Sequence, residues 1–118
     1  MKIVEAINNI ITKSDKISNV LRNVEGSEYF FIYNEKYKWS ILRSEKGEYS
    51  LFLYPKENMS LEDLAYQVDY SIYKDYVLYT SEEIKTREAT ESFAELYKIV
   101  SDKLFGTDNI LDDIINDN

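Results

Sequence analysis

The side chains able to do chemistry here are carboxylates, lysines and tyrosines, because the 118-residue chain has no histidine and no cysteine. The commonest general base and the commonest transition-metal ligands are therefore missing, and with them disulfides and thiolate chemistry. Asp108, Asp112, Asp113 and Asp117 are the densest acidic group. They lack the Asp-x-Asp-x-Asp-Gly pattern and closing Glu of a calcium loop, and they alternate with Ile110, Leu111, Ile114 and Ile115 in a helical period. That spacing describes a solvated helix face. Glu82-Glu83 suits a helix start, where acids favour the dipole. The three glycines are too scattered for a phosphate-cradling loop. Lys36, Lys38 and Arg43 interleave with Tyr37 and Trp39, as on some nucleic-acid surfaces, but Glu35 and Glu45 dilute the pattern. The expectation is a protein with no catalytic residues, cofactor or metal.

A second constellation suits contact rather than catalysis. On a helix starting at Leu61, the residues Leu61, Leu64, Ala65, Val68 and Ile72 share about 100° of arc. Tyr66, Tyr70 and Tyr73 fall on nearly the opposite side, flanked by Glu62, Asp63 and Asp69. Tyrosine offers area, a polar handle and a low entropy cost, and is enriched at interfaces. These six residues form the expected protein-binding patch; the alternatives are that the tyrosines pack on the first helix, or that the helix ends near Tyr70 and the two-faced geometry fails.

The elements that must position this patch centre on residues 28–54. Tyr29 to Tyr33, Tyr37 to Leu42 and Tyr49 to Tyr54 are aromatic and β-branched runs separated by short polar turns, the pattern of a three-stranded antiparallel meander. Pro55 ends it. Tyr37, Trp39 and Ile41 point one way and Lys38 and Ser40 the other, which predicts one face on a core and one nearer water. The outer two runs are apolar on both faces, so a further element or a partner must cover the second face.

Residues 2–24 carry Ile3, Ile7, Ile10, Ser14, Ile17, Leu21 and Val24 at alternating spacings of four and three, read as one helix or as two broken near Ser14 and Asp15. Such a stripe packs on the sheet or pairs two copies as a homodimer. Ser60 to Asp63 reads as a capping box, with Met59 and Leu64 as a hydrophobic staple. Residues 76–80 form a fourth strand. A long helix starts between Ser81 and Thr86 and ends at Gly106, and a short acidic amphipathic helix follows, docking on its own core or on another chain. The fold class is α+β: a single two-layer domain over 1–118, with an antiparallel sheet of about four strands and helices on one face, in the order α-β-β-β-α-β-α-α. In element order and charge alone this resembles the small acidic chaperones of secretion systems, which implies a homodimer.

The net charge of −8 lies entirely in the second half: residues 1–59 sum to +1 and residues 60–118 to −9. Direct nucleic-acid binding is disfavoured, since affinity for phosphate comes mainly from Lys and Arg. A basic protein partner is the natural complement. Glu5 within the first apolar residues argues against an export signal, and no apolar run reaches the roughly 20 residues of a membrane span, so a cytoplasmic location is expected. The functional expectation is a non-enzymatic protein-binding module, an inhibitor, adaptor or chaperone-like protein. The alternative is a nucleic-acid mimic that blocks a basic groove, as encoded by phage or mobile elements.

Overall fold

The computed structural model describes residues 1–55, 58–66 and 75–117. Its elements run α1 (Lys2–Thr12), a 3-10 turn (Ser14–Lys16), β1 (Ile17–Arg22), β2 (Glu28–Tyr33), β3 (Tyr37–Arg43), β4 (Tyr49–Leu53), α2 (Leu61–Ala65), β5 (Val77–Thr80), α3 (Ser81–Ile84), α4 (Arg87–Phe105) and α5 (Thr107–Ile115). The class is α+β. The five described strands form one antiparallel sheet in sequential order, β1-β2-β3-β4-β5.

The expected meander is β2, β3 and β4. Its two turns follow from their residues. At the β2–β3 turn Lys36 N–H bonds back to the Tyr33 carbonyl, with Asn34 and Glu35 both left-handed. Two consecutive positive φ angles match the twist of a hairpin, and Asn tolerates them best. At the β3–β4 turn Gly47, φ +81°, closes a short loop held by Ser44.

The stretch 17–24 departs from the helical reading. Residues 17–22 are a strand, so the sheet has five strands where the sequence suggested about four. The cause is a bulge. The pairing with β2 shifts between Ser18 and Leu21, and Asn19 takes φ 55°. The extra residue puts Ile17 and Val20, three apart, against the same core, while Leu21 packs on the opposite side. A bulged strand thus reproduces the i, i+3 spacing of a helix. Only Ile3, Val4, Ile7 and Ile10 of the N-terminal stripe are buried on a helix; Val24 sits exposed in the β1–β2 turn.

Helices cover both faces rather than one. On the first face α1 and α4 pack over Tyr29, Phe31, Trp39, Ile41 and Leu51, contributing Ile3, Ile7, Ile10, Ala89, Phe93, Leu96 and Val100. Ser92 Oγ donates to Asn8 Oδ1 at 2.6 Å, tying the two helices together. On the second face α2 buries Leu61, Leu64 and Ala65 against Phe30 and Tyr54, with Met59 in the same cluster. This is why β2 and β4 are apolar on both sides, and why Ser40, expected nearer water, is fully buried. The N-caps are Ser60, Thr80 and Thr86, each accepting a backbone N–H. The long C-terminal helix therefore has both of its alternative starts, separated by left-handed Lys85, and it ends at left-handed Gly106 as the glycine suggested.

Candidate protein interface

The expected tyrosine patch is only partly within the described residues. Ser60 Oγ accepts from Asp63 N–H and fixes the start of α2 at Leu61. Glu62 and Asp63 sit exposed in its first turn, and Tyr66 caps its C-terminus with its side chain 53% exposed. Asp69, Tyr70 and Tyr73 lie outside the described residues. What the fold brings beside Tyr66 is the β1–β2 turn and the end of α4: Tyr66 shares an open groove with Arg22, Asn23, Val24 and Phe105. The Arg22 guanidinium lies 5.8 Å from the Phe105 ring centre, a cation–π contact. Val24, Tyr66 and Phe105 are all exposed there.

Phe105 leads directly into α5, the larger apolar surface. Gly106, φ +63°, terminates α4 by donating to the Asp102 carbonyl, and its own carbonyl accepts from Ile110 N–H to begin α5. With a single residue between them, α5 leaves α4 in a fixed direction. Ile110, Leu111, Ile114 and Ile115 occupy about 140° of its circumference. They are 54%, 50%, 65% and 76% exposed. The helix does not dock on its own core, the first of the two fates open to it. Asp112, Asp113 and Asp117 are exposed around the stripe, and no basic residue follows Lys103.

A complementary concavity lies on the first face of the sheet. Lys2, Ile3, Ala6, Asn9 and Ile10 of α1 form one wall, and Tyr33, Tyr37, Trp39, Leu53 and Tyr79 form the floor and the other wall of a mainly apolar groove of about 350 Å³. That size is in the range of sites that accept side chains or small ligands. Asn9 Nδ2 donates to Tyr33 Oη at 3.3 Å across it. The Lys36 ammonium stands 5.2 Å from the ring centre of Tyr37, one of the groove's residues. The indole N–H of Trp39, in the floor, is buried without a hydrogen-bond partner among the described residues.

The residues closest to an acid–base constellation are buried. Ser40 Oγ donates to Glu28 Oε2 at 2.5 Å and lies 2.9 Å from Tyr54 Oη. Ser40 has one proton, so while it donates to a carboxylate the Tyr54 hydroxyl must be the donor to Ser40. Burial pushes the Glu28 carboxyl above its ordinary value, against the opposing pull of the Ser40 hydrogen bond. All three side chains are at most 5% exposed, beneath α2. This chain organises the interior; a substrate could reach it only by displacing α2. Sequence reasoning missed it because the pairing of Phe30 with Ser40 that defines this face depends on register. Tyr97 is raised to about 12, first by burial and then by its hydrogen bond with Tyr29. Among the described residues no group of three or more acidic, His or Cys side chains could hold a metal ion, and no helix is long and apolar enough to cross a membrane.

No protein-family model, curated protein or solved structure matches the chain.

Proposed function

We propose that this chain is a cytoplasmic, non-enzymatic protein-binding module of the inhibitor, adaptor or chaperone-like kind, and that α5 is its principal contact element. The observation that carries the reading is the exposure of four large aliphatic side chains on one face of α5. Isolated exposed hydrophobics are ordinary; a contiguous, rimmed stripe of them marks an interaction surface. An amphipathic helix laid into a groove is a recurrent recognition mode, with anchors at the spacing of Ile110, Leu111, Ile114 and Ile115. The aspartates around the stripe select a groove bordered by Lys or Arg. Tyr66 and Phe105 extend the contact area from the adjoining end of the domain.

The test is capture by the immobilised protein, compared with a Leu111→Asp/Ile114→Asp variant. Both side chains are exposed, so the fold is untouched. A specific partner held by the parent and lost by the variant supports α5 as the contact element. Salt should weaken that binding only partly, since the anchors are apolar. Equal capture by both proteins overturns the reading, and capture abolished by moderate salt alone would point to nucleic-acid mimicry instead.

A further inference from the structure

We infer that the groove on the first face receives α5 of a second copy of this chain, giving a homodimer in which the two C-terminal helices are exchanged. The inference rests on the reading of α5 as a docking helix and names its occupant. One molecule presents both halves of an interface: an unpartnered apolar helix face on α5, and an unfilled apolar groove between α1 and the sheet. Neither is satisfied among the described residues. The single-residue link at Gly106 leaves α5 exposed instead of folded back.

Charge chooses between the two ways of pairing copies. Packing α5 against α5 would bring Asp112, Asp113 and Asp117 of two chains together with no base on either helix, and like charges at an interface oppose association. The groove instead offers Lys2 in its wall and Lys36 beside Tyr37, set against Glu5 on the same helix and Glu35 in the turn, so it carries no net excess of like charge toward α5. The charge asymmetry along the chain, +1 against −9, favours the same head-to-tail contact.

Area chooses the symmetry. A nine-residue helix is about 14 Å long, and one such contact falls short of the roughly 1,200 Å² that a stable interface buries. Reciprocal exchange about a two-fold axis makes the contact twice and closes the assembly, where one-way docking would propagate. Ile and Leu side chains entering the groove would lie over Trp39, the only tryptophan of the chain.

The experiment is light scattering on the full chain over a dilution series, with Trp39 fluorescence read in parallel. The parent should weigh twice its 14.0 kDa at high concentration and show a Trp39 change over the range where the mass halves. Leu111→Asp/Ile114→Asp removes the helix face. Ala6→Glu fills the groove with bulk and negative charge, at an exposed position in the first turns of α1 where an acid also favours the helix. Each variant alone should dimerise at least 10-fold more weakly. Mixed in equal amounts they should pair more tightly than either variant pairs with itself, yet more weakly than the parent, because one of the two contacts, the intact α5 of the Ala6→Glu chain in the intact groove of the other, is restored. An Ala6→Glu protein that dimerises like the parent overturns the proposal in favour of α5 against α5. A mixture that associates no more tightly than either variant alone, or a parent monomeric at every concentration, overturns it too. In the last case, retained capture of another protein through α5 would leave the broader reading standing.

Discussion

Glu28 is the residue whose surroundings most oppose its usual state. Its carboxyl lies under α2, bonded to Ser40 and set in an otherwise apolar layer, and burial favours the neutral form. Folding therefore raises its proton affinity. The stability it contributes is complete at a pH below the ordinary carboxylate range, and is lost as pH rises from there through the raised value of the folded state. Glu28→Gln should thus melt higher than the parent at pH 7 and lose the component of the melting curve that titrates in this window, while Gln still accepts from Ser40. Melting followed by circular dichroism from pH 4 to 8 decides it. A variant that melts lower at pH 7 would mean that the ionised chain through Ser40 and Tyr54 outweighs the cost of burial. The residues that were legible in the sequence are those whose role is local: Ser60 as a cap and Gly106 at the end of α4. Glu28 was not, because its burial depends on which residues lie across the sheet and on what covers that face.

At the scale of elements, the meander was readable because three aromatic and β-branched runs are separated by short polar turns. The first strand was not, because the bulge at Asn19 gives Ile17 and Val20 a helical interval. The bulge also serves the sheet. β1 is an edge strand, and a bulge twists an edge away from flat pairing with other chains. Asn19 is among the few residue types that accept its backbone angle. Asn19→Val, β-branched at a positive φ, should cost about 1–2 kcal/mol of unfolding free energy. Urea titration measures this, and an unchanged midpoint would show that β1 re-registers without strain. The start of α2 was fixed by its cap, but its position on the second face was not foreseen: capping residues say where a helix begins and nothing about which layer it joins. For α5 the amphipathic pattern was plain, and its exposure was invisible, since periodicity reports that a helix has an apolar face but not what meets it.

For the molecule as a whole, core and contact element are separable. Both hydrophobic clusters end with residues of α4 or earlier, and the apolar side chains of α5 belong to neither. Truncation after Gly106 should leave the unfolding free energy, measured by urea in dilute solution, within about 0.5 kcal/mol of the parent, as for other changes away from buried features. A loss of several kcal/mol would place α5 in the core. The same truncation removes Asp108, Asp112, Asp113 and Asp117, and with them half of the net negative charge.

The sequential strand order carries a consequence for how fast the chain reaches its fold. Every described strand pairs with its neighbour along the chain, and the first four strands close over short loops at little entropic cost, while β4 reaches β5 only by way of α2. The clasp between Asn8 and Ser92 joins residues 84 apart. Contacts of that separation are the last a meander needs. The β1–β4 meander is therefore expected to form before the α1–α4 layer closes over it, and Ser92→Ala should hasten unfolding more than it slows refolding when both rates are followed across a urea series.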